Sequence, residues 1–283
     1  MAGWSEGEIV VRETTIHYYR MGHTGKPPVV LLHGFTDAGL CWLRLASDLA
    51  PDYDLIMIDA VGHGLSGGPE HGFRERAPGD VLAVIAALDL DCPALVGHSM
   101  GAATAAGVAA EASERLRGIV LEDPGWRDTA PAPTEVGATG VAMGSRAPLG
   151  GPEWVAWITA FQAMGQEERH TQAAAERPEW ADADRLPWAD AKAQFNLAVI
   201  AARGPIGIPP WRDTVRRMAC PALLITADPE RGAIVTPTIA REASGLWQTG
   251  EIVHLPGAGH NIRREQYAPY REAVSGFLRR VLV

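Results

Sequence analysis

The sequence predicts an α/β fold, a mostly parallel sheet with helices on both faces. Two observations lead there. Short apolar runs alternate along the chain with longer helical segments. Most of these runs are apolar at every position, whereas a strand with one wet face alternates. Such strand–helix alternation implies parallel strands joined by crossovers that lay helices on the two faces.

Taken in order, Val10–Tyr19 reads as an opening hairpin, with Thr14 and Thr15 near its turn. Val29–Leu32, Leu55–Asp59, Ala94–Val96, Gly118–Glu122, Ala222–Thr226 and Glu251–Leu255 read as strands. Between them, Asp80–Leu88, Ala102–Ala112 and Ile239–Ser244 read as helices, and the amphipathic Gln266–Leu282 as a closing helix. One stretch breaks this rhythm. From Gly125 to about Arg217 no strand pattern occurs, and helical patterns cover Glu153–Met164 and Ala189–Ala202. Six of the nine tryptophans fall there: Trp126, Trp154, Trp157, Trp180, Trp188 and Trp211. The stretch reads as a helical insertion over the sheet. It divides the chain into a core of residues 1–124 and 218–283 and a cap of residues 125–217.

With 283 residues and 47% hydrophobic content, the chain can bury one sizeable core. Its net charge of −9 argues against nucleic acid and anionic membrane as partners. The basic pairs Arg216–Arg217 and Arg263–Arg264 read as solvated helix surface. Cys41, Cys92 and Cys220 are few and far apart, which suits a reducing cytoplasm better than a disulfide framework or a metal cluster. Met1 to Arg12 has no apolar run of the kind a secretory leader needs. The uncharged run Pro93–Ala110 is better explained as strand, turn and helix than as a membrane span.

Gly97-His98-Ser99-Met100-Gly101 is a G-x-S-x-G pattern between an apolar strand and a helix former. A serine held at such a turn exposes its Oγ, and small neighbours are needed for the chain to reverse around it. The following helix aims free N–H groups at developing negative charge. His33-Gly34-Phe35 follows an earlier strand, where a second oxyanion donor is expected. The backbone N–H groups of Phe35 and Met100 are the candidate pair, and the His33 side chain reads as structural. His260 follows the last strand through Gly257-Ala258-Gly259, placed to act as the general base for Ser99. The preferred acid behind it is Asp228, after the strand Ala222–Thr226. Glu122 is the alternative, followed by Glu230 and Asp123, the last equally suited to cap the insertion. Asp59-Ala60-Val61-Gly62-His63-Gly64-Leu65-Ser66 reads as a structural turn, with His63, His98 and His254 also structural.

These residues together resemble the α/β-hydrolase superfamily over nearly the whole chain. The resemblance rests on His33-Gly34-Phe35, Asp59…Gly62-His63-Gly64…Ser66, the Gly97–Gly101 elbow, and Asp228 with His260. It implies an eight-stranded, mostly parallel sheet with a helical cap inserted after strand six. The chain departs from the family at Ala227–Ala233, where many members have a shorter turn around the acid. The resemblance also bears on the activity. Superfamily dehalogenases and epoxide hydrolases need an aspartate where this chain has Ser99. The expectation is a serine hydrolase of a small, apolar or aromatic carboxylic ester, working without metal or organic cofactor. Trp126 and Trp154 are candidate substrate contacts, although tryptophans at helical spacing equally suit a cap core. Arg127 or Arg146 could bind a substrate carboxylate, as for a monoalkyl phthalate. Lactone, amide or carbon–carbon bond hydrolysis, perhydrolysis, and a ligand receptor of the same fold remain alternatives.

Overall fold

The computed structural model describes residues 3–68, 73–128, 150–202 and 210–282. Eight strands form one sheet: β1 Ser5–Val11, β2 Thr14–Met21, β3 Pro28–Leu32, β4 Asp54–Ile58, β5 Ala94–His98, β6 Gly118–Glu122, β7 Ala222–Thr226 and β8 Gly250–His254. Their order is β1-β2-β4-β3-β5-β6-β7-β8. The β1–β2 hairpin is antiparallel, as is the β2–β4 pair, and every pairing from β4 to β8 is parallel. β5 runs two residues beyond its apolar stretch, because Gly97 and His98 stay in register with Leu121 and Glu122 of β6.

Continuous apolarity in the strands has the expected consequence. Val30, Leu32, Ile56, Leu95, Ile119, Leu121 and Leu224 pack into one core. Val29, Leu31, Leu55, Val96, Val120, Leu223 and Ile225 pack into another on the opposite face. The period-two alternation of the pleat sends neighbours in each strand to opposite faces. Each fully buried side chain of this size contributes about 1.5–3 kcal/mol. Helices α1 Leu43–Leu49, α2 Phe73–Ala87, α3 Met100–Ala112 and, at the end of the chain, α11 Tyr267–Val281 cover the faces. α2 begins earlier than its pattern suggests and runs through Pro78, whose ring fits against Gly107 of α3, where a Cβ would lie 2.7 Å away.

Between β6 and β7 the described residues form only helices: α4 Pro152–Ala163, α5 Gln166–Glu176, α6 Asp182–Gln194, α7 Ala198–Ala202 and α8 Trp211–Arg217. They fit a cap after strand six. The single helix expected over Ala189–Ala202 is two. The break falls at Asn196, whose N–H donates to the Gly62 carbonyl while its side-chain oxygen accepts from the Ala198 N–H. A residue tied outward in this way ends one helix and starts the next. A third apolar cluster joins Phe161, Ala173, Trp180 and Trp188 of this helical segment to Ala38 and Cys41, which precede α1. Helices α9 Pro237–Leu246 and α10 Ile262–Glu265 complete the described chain. None of the described helices is long and apolar enough to cross a membrane.

Candidate active site

Ser99 sits at the β5–α3 junction with φ 53° and ψ −109°, a conformation that non-glycine residues rarely adopt. The glycines around it are there for space. A Cβ on Gly97 would lie 2.4 Å from the Gly101 carbonyl oxygen, and one on Gly101 would lie 2.1 Å from that of Leu32. The Ser99 N–H donates to the Glu122 carbonyl of β6, and its own carbonyl starts the α3 hydrogen-bond ladder at Ala103. The elbow is therefore pinned on both sides, which is how a strained residue persists.

His260 Nε2 lies 3.0 Å from Ser99 Oγ. Its Nδ1 lies 2.6 Å from Oδ2 of Asp123. Asp123 is fully buried directly after β6, and its carboxylate also accepts the backbone N–H groups of Ile234 and Val235. Those donors come from the long segment after β7, the stretch where the acid itself was expected. The expectation for Asp228 is corrected here. Asp228 Oδ2 accepts the Gly257 N–H at 2.7 Å and Oδ1 faces His254 Nε2 at 3.1 Å, so it staples the loop that leads to His260. Its side chain faces β8 and the start of that loop rather than the imidazole. Glu122 is not the partner either. It is one residue from Asp123, and the pleat turns it to the other face, onto Arg263. Glu230 is exposed in the turn after β7. The signal that sequence reasoning undervalued is the Glu122-Asp123 pair itself, two acids in succession at the end of a buried strand.

Met100 follows Ser99 directly at the start of α3, and Phe35 lies in the turn after β3, the strand next to β5 in the sheet. Gly34 approaches so closely that a Cβ there would lie 2.5 Å from His98 Nδ1 and 3.5 Å from Ser99 Cβ. Gly34–Asp37 is a turn closed by the Asp37 N–H on the Gly34 carbonyl at 3.1 Å. Thr36, at its third position, has φ 65°. That is the geometry of a type II turn, which ordinarily takes glycine there, and a β-branched residue in it costs about 1–3 kcal/mol.

Around this turn lies a buried ionic network with no local sequence pattern. Asp37 Oδ2 accepts Arg264 Nη2 at 2.7 Å and Arg263 Nη2 at 3.3 Å, and Oδ1 faces Lys192 Nζ of α6 at 3.2 Å. Arg263 and Arg264 are 1% and 4% exposed, which corrects their reading as solvated surface. Burial alone would push the Asp37 carboxyl up, but Arg264, Lys192 and Arg263 outweigh it and hold the group well below the usual range. Burial pulls the Lys192 ammonium down, against the opposing charge of Asp37.

The histidines divide by environment. His98 Nε2 donates to the His260 carbonyl at 2.9 Å, and burial, with Arg263 and His260 nearby, keeps the ring well below its ordinary value and neutral. His33 Nε2 accepts the Ala60 N–H, which places the proton on Nδ1, facing the Gly34 carbonyl. Asp59 anchors its turn by accepting the N–H groups of Gly39 and Leu65. Of the two tryptophans singled out, Trp154 stacks on Phe35 at 6.3 Å, and Trp126 stacks on Trp211 at 5.4 Å within the core. Arg127 follows Trp126 directly, and Arg146 lies outside the described residues. A cavity of about 540 Å³ lies along α3, lined by His33, Met100, Gly101 and Thr104 and by Thr214 and Arg217 of α8.

An eight-stranded sheet with this order, an elbow serine after β5 and a helical segment after β6 define one class of protein. The chain belongs to the α/β hydrolase family, whose model matches residues 29–273. It is 28% identical over 286 residues to the N-formylmaleamate deformylase of Pseudomonas putida, covering 94% of each chain. Among solved structures, E-2-(acetamidomethylene)succinate hydrolase shares the fold with a TM-score of 0.77 at 19% identity, over 98% of this chain and 100% of that one. The enol-lactonase of Burkholderia xenovorans LB400 does so with a TM-score of 0.71 at 22% identity, over 96% and 100%. The chain is accordingly a hydrolase of this family.

Proposed function

We propose that this chain is a serine hydrolase of a small carboxylic ester, acting through an acyl-enzyme. The observation that carries the reading is the unbroken hydrogen-bonded line Ser99–His260–Asp123 at the end of the strained elbow. In the proposed reaction, Ser99 Oγ attacks the carbonyl carbon while His260 Nε2 takes the hydroxyl proton. Asp123 accepts the Nδ1–H, fixing the tautomer and stabilising the imidazolium that forms. The Phe35 and Met100 N–H groups receive the negative charge on the carbonyl oxygen. His260 then protonates the leaving alcohol. A water, activated by the same imidazole, frees the acid and restores Ser99. Protein groups and water suffice for every step.

The cavity of about 540 Å³ along α3, which begins at Met100 beside Ser99, has a volume that suits a small molecule, and the Trp154 ring stacked on Phe35 supports an aromatic contact for it. We assign residues 125–217 as the cap that closes the site. Three free thiols fit a reducing compartment, the cytoplasm in this reading. A second reading is hydrolysis of a formamide or amide of a small acid. It is favoured by the 28% identity to a deformylase over 94% of both chains.

The test is turnover of p-nitrophenyl esters of increasing acyl length, monoalkyl phthalates and N-formylmaleamate, by the wild type and by Ser99→Ala. Ester turnover that Ser99→Ala abolishes is the expected result. Turnover of N-formylmaleamate alone moves the assignment to the second reading. Ester turnover equal in both proteins removes the serine mechanism.

A further inference from the structure

The helices after β6 meet the Phe35 turn through the rings of Trp154 and Phe195, which pack on Phe35, and through one buried charge. Lys192 of α6 is completely buried, and its ammonium donates to the Thr36 carbonyl at 2.9 Å and to Asp37 Oδ1 at 3.2 Å. Its third direction is taken by the Trp188 ring, whose centroid is 4.8 Å away. Thr36 is the residue with φ 65° that directly follows Phe35, and Asp37 closes the turn onto Gly34. The ammonium thus grips the third and fourth positions of a turn whose second position carries the proposed oxyanion donor. A β-branched residue with that φ tends to relax toward negative φ, and relaxation would rotate the peptides on both sides. Arg263 and Arg264 hold the same Asp37 from the His260 side, so the turn is fixed between the cap and the loop that presents the base.

Resting on the serine-hydrolase reading above, we propose that Lys192 is a positioning residue, through which the docked cap sets the orientation of the Phe35 N–H in the oxyanion site. The effect belongs to this contact rather than to cap docking in general. The cap makes a second ion pair to the core, Arg44 Nη1 to Asp184 Oδ2 at 2.5 Å, which leaves the turn untouched. The two contacts can be separated by mutation.

The experiment compares the wild type, Lys192→Met, Arg44→Ala and Ser99→Ala on the best p-nitrophenyl ester. Each protein is first checked for a cooperative thermal transition. Loss of an oxyanion donor costs about 10²–10³ in kcat, and a displaced donor costs less. Lys192→Met is expected to lose about tenfold to a hundredfold in kcat with KM nearly unchanged, because the lost interaction exists in the transition state. The rate of Ser99 phosphonylation by a p-nitrophenyl phosphonate should fall by the same factor, since that adduct also carries a charged oxygen in the site. Arg44→Ala is expected to lower the melting temperature and keep kcat within about twofold of wild type. A folded Lys192→Met with wild-type kcat overturns the proposal, as does an equal kcat loss in Arg44→Ala. If Lys192→Met does not fold, Lys192→Gln replaces it: its amide nitrogen stops one bond short of the Nζ position, out of reach of the Thr36 carbonyl, and carries no charge toward Asp37, so wild-type kcat there overturns the proposal in the same way. Equal activity in Ser99→Ala and wild type would instead mean that the serine reading has failed.

Discussion

His260 Nδ1 lies 2.6 Å from Oδ2 of Asp123, on a carboxylate that two backbone N–H groups already hold in place. Asp228, the acid in the position after β7, is occupied by Gly257 and His254. The imidazole is therefore oriented from the end of strand six, and the segment after strand seven supplies the Ile234 and Val235 donors that hold the Asp123 carboxylate.

Substitution separates the two aspartates. Asp123→Asn leaves the shape of the site intact but favours the wrong imidazole tautomer, and kcat should fall by about 10⁴. Asp228→Asn should keep kcat within about threefold, with a lower melting temperature from the loosened loop. Steady-state kinetics on one ester decides between them, and the reverse ranking would return the role to Asp228.

Glu122→Gln should act on stability first. It removes one of the two carboxylates that face the buried Arg263 guanidinium and leaves Asp37 shared among Arg263, Arg264 and Lys192, and removing one partner of a buried pair costs about 3–5 kcal/mol. Denaturant titration should show the loss, and the folded fraction should keep an intact Ser99–His260–Asp123 line. A kcat collapse with unchanged stability would point to a direct role in the chemistry.

The elbow glycines tolerate no side chain. Gly101→Ala places a Cβ 2.1 Å from the Leu32 carbonyl oxygen, against backbone that is itself part of the sheet. It should fail to give soluble folded protein. Gly245→Ala, which meets nothing within 4 Å in α9, should be neutral or stabilising by up to ~1 kcal/mol. Expression and circular dichroism of the pair test this.

Acid should destabilise the protein earlier than its carboxylates alone would. Burial lowers the pKa of His33, of His63 to about 3, and of His98. These bases refuse protons that the unfolded chain takes up below about pH 6.5. Their stability contribution is complete above that pH and is lost as pH falls toward the folded values, at up to ~1.4 kcal/mol per unit for each group. His17, raised by its hydrogen bond to Asp59, has the opposite sign and softens the slope. Asp37, held well below the usual range, adds its loss only at lower pH. Melting temperatures between pH 7.5 and 4.5 should fall steadily, and less so in His63→Gln. A flat profile would mean that these rings are protonated in the folded state.

The class of fold and the two residues proposed to react, Ser99 and His260, were legible in the chain because they are local properties. Uninterrupted apolar runs mark strands covered on both faces, and Gly97–Gly101 carries its own steric reason for every glycine. His260 is marked by the glycine turn after the last strand. The acid was not legible. Asp123, Asp228, Glu122 and Glu230 all lie at or just beyond strand ends, and chain order permits each of them. Two further residues were hidden for the same reason: Lys192, in an Ala-rich helical pattern, and Arg263, in a basic pair that looks like surface.

Sequence alone determined the alternating core, the elbow and the helical insertion, since each follows from the spacing of neighbours along the chain. Only the tertiary structure decided which acid meets the histidine and which cation holds the Phe35 turn. Those partners are 137 residues apart for Asp123 and His260 and 156 apart for Thr36 and Lys192. Their pairing is set by the one-residue alternation of a pleat at β6 and by where α6 packs on the core, and neither leaves a local pattern.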